Sequence, residues 1–99
     1  MKRPWAFICA NEGATSKHLR NYCREVYLLG YLPVCPKLQD SQYLVLEDAV
    51  ERSEYTAIVR DKLLRCPMLV VCSRNQDATT NAQIGLAQKY NRIVTTLDA

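Results

Sequence analysis

The chain has 99 residues, 48% hydrophobic and 23% charged, with a formal net charge of +3; this fits one globular domain over residues 1–99 and excludes a disordered or fibrous chain. Its longest apolar runs, such as 68–72, fall far short of the roughly 20 residues that span a bilayer, and the basic surplus is too small to argue for duplex nucleic acid as a partner. Five cysteines (Cys9, Cys23, Cys35, Cys66 and Cys72) include no C-x-x-C pair and no histidine at ligand spacing, so no metal and no cofactor is expected, and the thiols read as reduced, buried hydrophobes.

The first residues, Met1-Lys-Arg-Pro, are basic and lead into an apolar stretch too short for a secretory signal, so a cytoplasmic protein is expected. Trp5 to Cys9 reads as a buried strand, placed at the centre of the sheet. Ala10 to Ser16 is a loop in which Gly13 is free to take positive φ and Thr15 or Ser16 caps the next helix. From Lys17 to Leu29 the residues Leu19, Tyr22, Cys23, Val26, Tyr27 and Leu29 recur at helical spacing, and Gly30 stands where a left-handed cap is usual. Tyr31 to Pro36 is a second strand, whose two prolines suit an edge. Lys37 to Ala49 fits either a short helix or a loop. Tyr55, Ile58, Val59 and Leu63 mark one face of a helix from Glu51 to Arg65, stopped by Pro67. Met68 to Cys72 is a third strand, Ser73 to Ala78 a loop, Thr80 to Tyr90 a helix and Arg92 to Thr96 a last strand. Residues Leu97 to Ala99 fit either an end of the chain or the beginning of a further helix.

Strands alternating with helices specify a three-layer α/β/α fold around a small parallel sheet of about four strands, Rossmann- or flavodoxin-like, in the order 2-1-3-4. Ligands of such sheets bind beyond the carboxyl ends of the strands, where the winding reverses. This places the loops after strands 1 and 3 side by side, each leading into a helix N-terminus that favours anions. Lys17 and Arg74 lie near those two starts, and His18 sits on a basic helical face without an identifiable acidic partner.

The stretch Asp77-Ala-Thr-Thr-Asn-Ala-Gln83-Ile-Gly-Leu-Ala87, together with Phe7-Ile-Cys9, Asn21-Tyr-Cys-Arg24, Gly30-Tyr-Leu-Pro-Val34 and Leu63-Leu-Arg-Cys66, resembles the nucleoside 2-deoxyribosyltransferase superfamily, and in particular its short phage-related members. In that family an aspartate is followed six residues later by a glutamate that attacks the anomeric carbon; here the corresponding position is Gln83, which carries no nucleophilic carboxylate. The first loop departs from the family as well, reading Cys9-Ala-Asn-Glu-Gly13. The resemblance implies that Asp77 holds the base or a sugar hydroxyl and that the protein is a homo-oligomer. Asp77 equally suits a cap or an Asx-turn, and Thr80-Asn-Ala-Gln83 fits a capping box in which Gln83 returns to the threonine N–H.

The candidate ligand-binding residues are therefore Asn11, Gly13, Asp77, Thr80 and Gln83, with a nucleoside or nucleotide as the ligand. Glu12, the carboxylate of the first loop, is the candidate catalytic residue if chemistry survives. Three readings follow: a binding domain without glycosyl transfer, a residual N-glycosidase or transferase using Glu12, and a non-enzymatic oligomeric scaffold.

Overall fold

The structure, a computed structural model, describes residues 2–97; the expectation of a further helix after Leu97 lies outside them. Four strands form one parallel sheet in the order β2-β1-β3-β4, with β1 at Trp5–Cys9, β2 at Leu32–Val34, β3 at Met68–Val71 and β4 at Ile93–Thr96. The register aligns Phe7 with both Val34 and Leu69, and Leu69 in turn with Val94. Each parallel step needs a long crossover. Helix α1 (Ser16–Leu28) joins β1 to β2, α3 (Ala49–Arg65) carries the chain back from β2 to β3, and α4 (Ala78–Lys89) joins β3 to β4. A short helix α2 (Pro36–Gln39) and a 3₁₀ turn over Asp40–Gln42 resolve the ambiguous stretch after β2. Among the described residues no helix is long and apolar enough to cross a membrane.

Alternation along the strands divides the core in two. Phe7, Cys9, Leu69 and Val71 face one side, where Leu63 of α3 and Ala87 of α4 cover them. Ala6, Ile8 and Val70 face the other, under Leu19 and Val26 of α1. The three-layer α/β/α arrangement is thus a direct consequence of period-two strands meeting period-3.6 helices.

Helix ends follow local chemistry. The Thr15 hydroxyl caps α1 by accepting from the His18 N–H. Gly30, at φ 104°, ends it: the Gly30 N–H bonds the Tyr27 carbonyl and the Tyr31 N–H reaches back to Val26, a Schellman motif. Asn91, at φ 59°, ends α4 in the same way.

Three local expectations need correction. Gly13 does not adopt positive φ, since Gly30 is the glycine that does. Tyr27 and Leu29 are exposed rather than packed on the sheet; Tyr27 instead lies under the Arg3 guanidinium, 4.0 Å from the ring centre, a cation–π contact. Proline 36 opens α2 instead of ending β2, as suits a residue with fixed φ and no N–H at a first helical position.

Candidate functional site

The loops that follow β1 and β3 meet at the carboxyl edge of the sheet, where the crossovers diverge to opposite faces. The Asn11 N–H donates to Ser73 Oγ at 2.9 Å, the Asn11 side-chain amide donates to the Asn75 carbonyl, and Asn11 Oδ1 accepts from the Thr80 hydroxyl at 2.8 Å and from the Asp77 N–H at 3.3 Å. Asn11 therefore uses both ends of its amide to lock one loop to the other. Thr80 is fully buried beneath this knot.

Asp77 is the N-cap of α4. One carboxylate oxygen accepts from the Thr80 N–H and the other from the Glu12 N–H, both at 2.9 Å. These two backbone donors, Thr80 first, hold its carboxyl below the usual carboxylate range, because hydrogen bonds to the charged form favour it. The capping box expected at Thr80 does not form: the helix starts at Ala78, two residues earlier, so Gln83 lies in the second turn, beyond reach of the cap.

Gln83 faces a different environment. A cavity of about 910 Å³ opens between α3, α4 and the carboxyl ends of β1 and β2. Glu12, Lys37, Tyr55, Thr79 and Gln83 bring polar groups to it, while Phe7, Val59 and Leu86 supply apolar wall. Gln83 Oε1 is buried without a hydrogen-bond partner, which is uncommon for a polar atom cut off from water. Glu12 Oε2 accepts from the Thr79 hydroxyl at 3.3 Å, and the Lys37 ammonium donates to the backbone carbonyls of Asn11 and Glu12. The Tyr55 phenol is pushed up to about 12, by burial first and then by the Glu12 carboxylate. It stays protonated at neutral pH, so its hydroxyl is able to donate a hydrogen bond.

A second, more open cleft of about 490 Å³ lies on the α1 side of the paired loops and is bordered by Asn11, Gly13, His18, Arg74 and Asp77. The sequence-predicted site residues thus separate. Glu12 and Gln83 share the large cavity, Asn11, Gly13 and Asp77 border the smaller cleft, and Thr80 lies buried between them. Asp77 and Gln83 do not meet in one cavity.

Sequence reasoning missed Tyr55, Lys37 and Cys35 as cavity residues. Tyr55 looked like one more apolar position of α3. Lys37 and Cys35 carried a usable signal, because both follow the carboxyl end of a strand beside the point where the winding reverses.

Among the described residues no cluster of three or more His, Cys, Asp or Glu side chains could hold a metal ion. No known protein-family model matches the chain, and no curated protein matches it either. Chemically, the cavity offers the Glu12 carboxylate, the Tyr55 phenol, the Gln83 amide, the Lys37 ammonium, the guanidinium groups of Arg52 and Arg60 and several hydroxyls around an apolar wall. That set can orient a small polar molecule carrying a flat or apolar part.

Proposed function

We propose that the chain is a nucleoside- or nucleotide-binding domain of the deoxyribosyltransferase-like type that lacks the usual glycosyl transfer. The supporting observation is that Gln83 lines the cavity of about 910 Å³ at the place where the resemblance puts a nucleophile. Small-molecule sites generally occupy roughly 300–1,000 Å³ and combine apolar walls with a few placed polar groups, as here. An amide at this position binds through hydrogen bonds but forms no glycosyl ester. Calorimetric titration with deoxynucleosides, deoxynucleotides and ribonucleotides is the test. Saturable binding that is weakened by Ala82→Trp, which adds an indole to the cavity wall from α4, is the expected result; failure of every compound to bind refutes the reading.

Glu12 supports a second reading, because it lines the same cavity as Gln83. In this reading residual N-glycosidase activity uses its carboxylate: the glycosidic bond breaks, the base leaves with a proton and water supplies the new hydroxyl on the sugar. Chromatography of deoxynucleosides incubated with the protein would show free base, and Glu12→Gln would abolish it. Absence of free base from the unmodified protein excludes this reading while leaving the binding proposal standing.

A further inference from the structure

The cavity between α3 and α4 is charged unevenly. Lys37, Arg52 and Arg60 line it, against the single carboxylate of Glu12. None of these cations is spent on an ion pair: among the described residues the pairs are Lys62–Asp40 and Arg65–Asp61. The Lys37 ammonium is held by the Asn11 and Glu12 carbonyls, and Arg60 reaches the Tyr90 hydroxyl at 3.3 Å through one terminal nitrogen. The carboxylates nearest Arg52 in sequence are engaged with backbone instead, Asp48 with the Glu51 N–H and Glu51 with the Val45 N–H.

Arg52, Thr56 and Arg60 follow one another at intervals of four residues on α3, which sets them in one row along the helix. All three line the cavity. Eight residues of helix rise about 12 Å, so both guanidinium groups, on their flexible stems, are able to reach a group seated over Thr56 between them. Guanidinium forks match the oxygens of a phosphate. Three cations against one carboxylate leave an excess of two positive charges, which a phosphate monoester, at about −2 near neutral pH, balances. The Glu12 carboxylate repels a phosphate and favours its placement on the α3 row rather than beside the first loop.

Gln83, on the facing helix α4, adds a second requirement. Its Oε1 is buried without a partner and takes only a donor. A phosphate dianion has only acceptors, so the group that meets Gln83 is an N–H or O–H elsewhere on the same ligand.

We propose that the cavity takes the phosphorylated form of its ligand, a nucleoside monophosphate in preference to the free nucleoside. The phosphate sits over Thr56 between Arg52 and Arg60, and a base or sugar donor meets Gln83 Oε1. This rests on the binding reading above and names which of its ligands the cavity selects.

The test is calorimetric titration of the full chain with nucleosides, each paired with its own monophosphate, at low and at moderate ionic strength. The expected result is a monophosphate bound at least about tenfold more tightly than its nucleoside, the order of one charge-assisted contact. Added salt should weaken the monophosphate and leave the nucleoside unchanged. Arg52→Gln combined with Arg60→Gln should bring the two affinities within about threefold without altering that of the nucleoside. Both arginines are exposed and glutamine forms helix about as well as arginine, so the variant should keep the circular dichroism of the parent. A nucleoside that binds the unmodified chain as tightly as its monophosphate, or shares its salt response, overturns this inference and leaves the binding reading standing. A monophosphate advantage that survives the double variant also overturns it, placing the phosphate elsewhere, such as the open cleft with His18 and Arg74. If no nucleoside or monophosphate binds, the binding reading falls and this inference with it.

Discussion

Asn11, Asp77 and Thr80 show how residues chosen as ligand contacts can be occupied by the fold itself. Their side-chain polar atoms bond to one another or to the neighbouring loop. Thr80→Val keeps the shape but removes the donor to Asn11 Oδ1, so it should cost about 1 kcal/mol, read as a lower urea midpoint at unchanged slope. Asp40 carries a second residue-scale prediction. It is 4% exposed and pairs with Lys62 at 2.6 Å while accepting from the Tyr43 hydroxyl. Burial pushes its carboxyl up, but the Lys62 and Tyr43 hydrogen bonds overcome this and hold it below the ordinary 3.8. A depressed folded pKa stabilises fully above the unfolded value and is lost as pH falls through the folded one. The stability gap between the unmodified chain and Asp40→Asn should therefore be largest at neutral pH and shrink as pH falls below the ordinary 3.8, measurable by urea denaturation at each pH. What sequence could show at this scale was limited by geometry: Asp77 as a cap and Asp77 as a ligand contact have the same local pattern, and only the Glu12 N–H, 65 positions away in the chain, decides its second bond.

Elements were more legible than contacts. Hydrophobic periodicity located all four strands and the three long helices, because burial of one face imposes that period regardless of partners. Besides the end of β2, a misplaced boundary was the start of α4. Threonine and aspartate are both good caps, and the choice of Asp77 over Thr80 reflects the tertiary knot with Asn11, which takes the Thr80 hydroxyl into the interior. The stretch after β2 was ambiguous because Lys37–Ala49 mixes turn residues with a short apolar run; Pro36 and the pairing of buried Asp40 with Lys62 settle it as helix and 3₁₀ turn. Helix α3 gives this scale its prediction. Asp48 caps it by accepting from the Glu51 N–H at 3.1 Å, and the Glu51 carboxylate accepts in turn from the Val45 N–H, also at 3.1 Å. Asp48→Ala should destabilise by about 0.5–2 kcal/mol, whereas Asp48→Asn should retain most of the cap; chemical denaturation of the two variants distinguishes cap loss from a change in charge.

Across the whole molecule, the cavity and the core compete for the same side of the sheet. Phe7, Val59 and Leu63 contribute both to the core under α3 and α4 and to the cavity wall, so the floor of the cavity is the core itself. For a chain of 99 residues a total stability of about 5–15 kcal/mol is the general expectation, and a domain this small belongs toward the lower end. Leu69, on the central strand β3, is 1% exposed and does not line the cavity. Leu69→Ala should cost about 2–5 kcal/mol, enough to unfold a sizeable fraction of the molecules near body temperature. A ligand specific for the folded state returns about 2.7 kcal/mol at a concentration of 100 times its Kd, a gain of the same order as the loss. The variant is therefore a more sensitive detector of a cavity ligand than the unmodified chain: under the proposed binding function, circular dichroism should show helix content rising when a nucleoside or nucleotide that binds is added, with a smaller response from the already folded parent. A compound that restores Leu69→Ala, but not the same variant carrying Ala82→Trp, acts through the cavity; one that restores both acts elsewhere on the molecule.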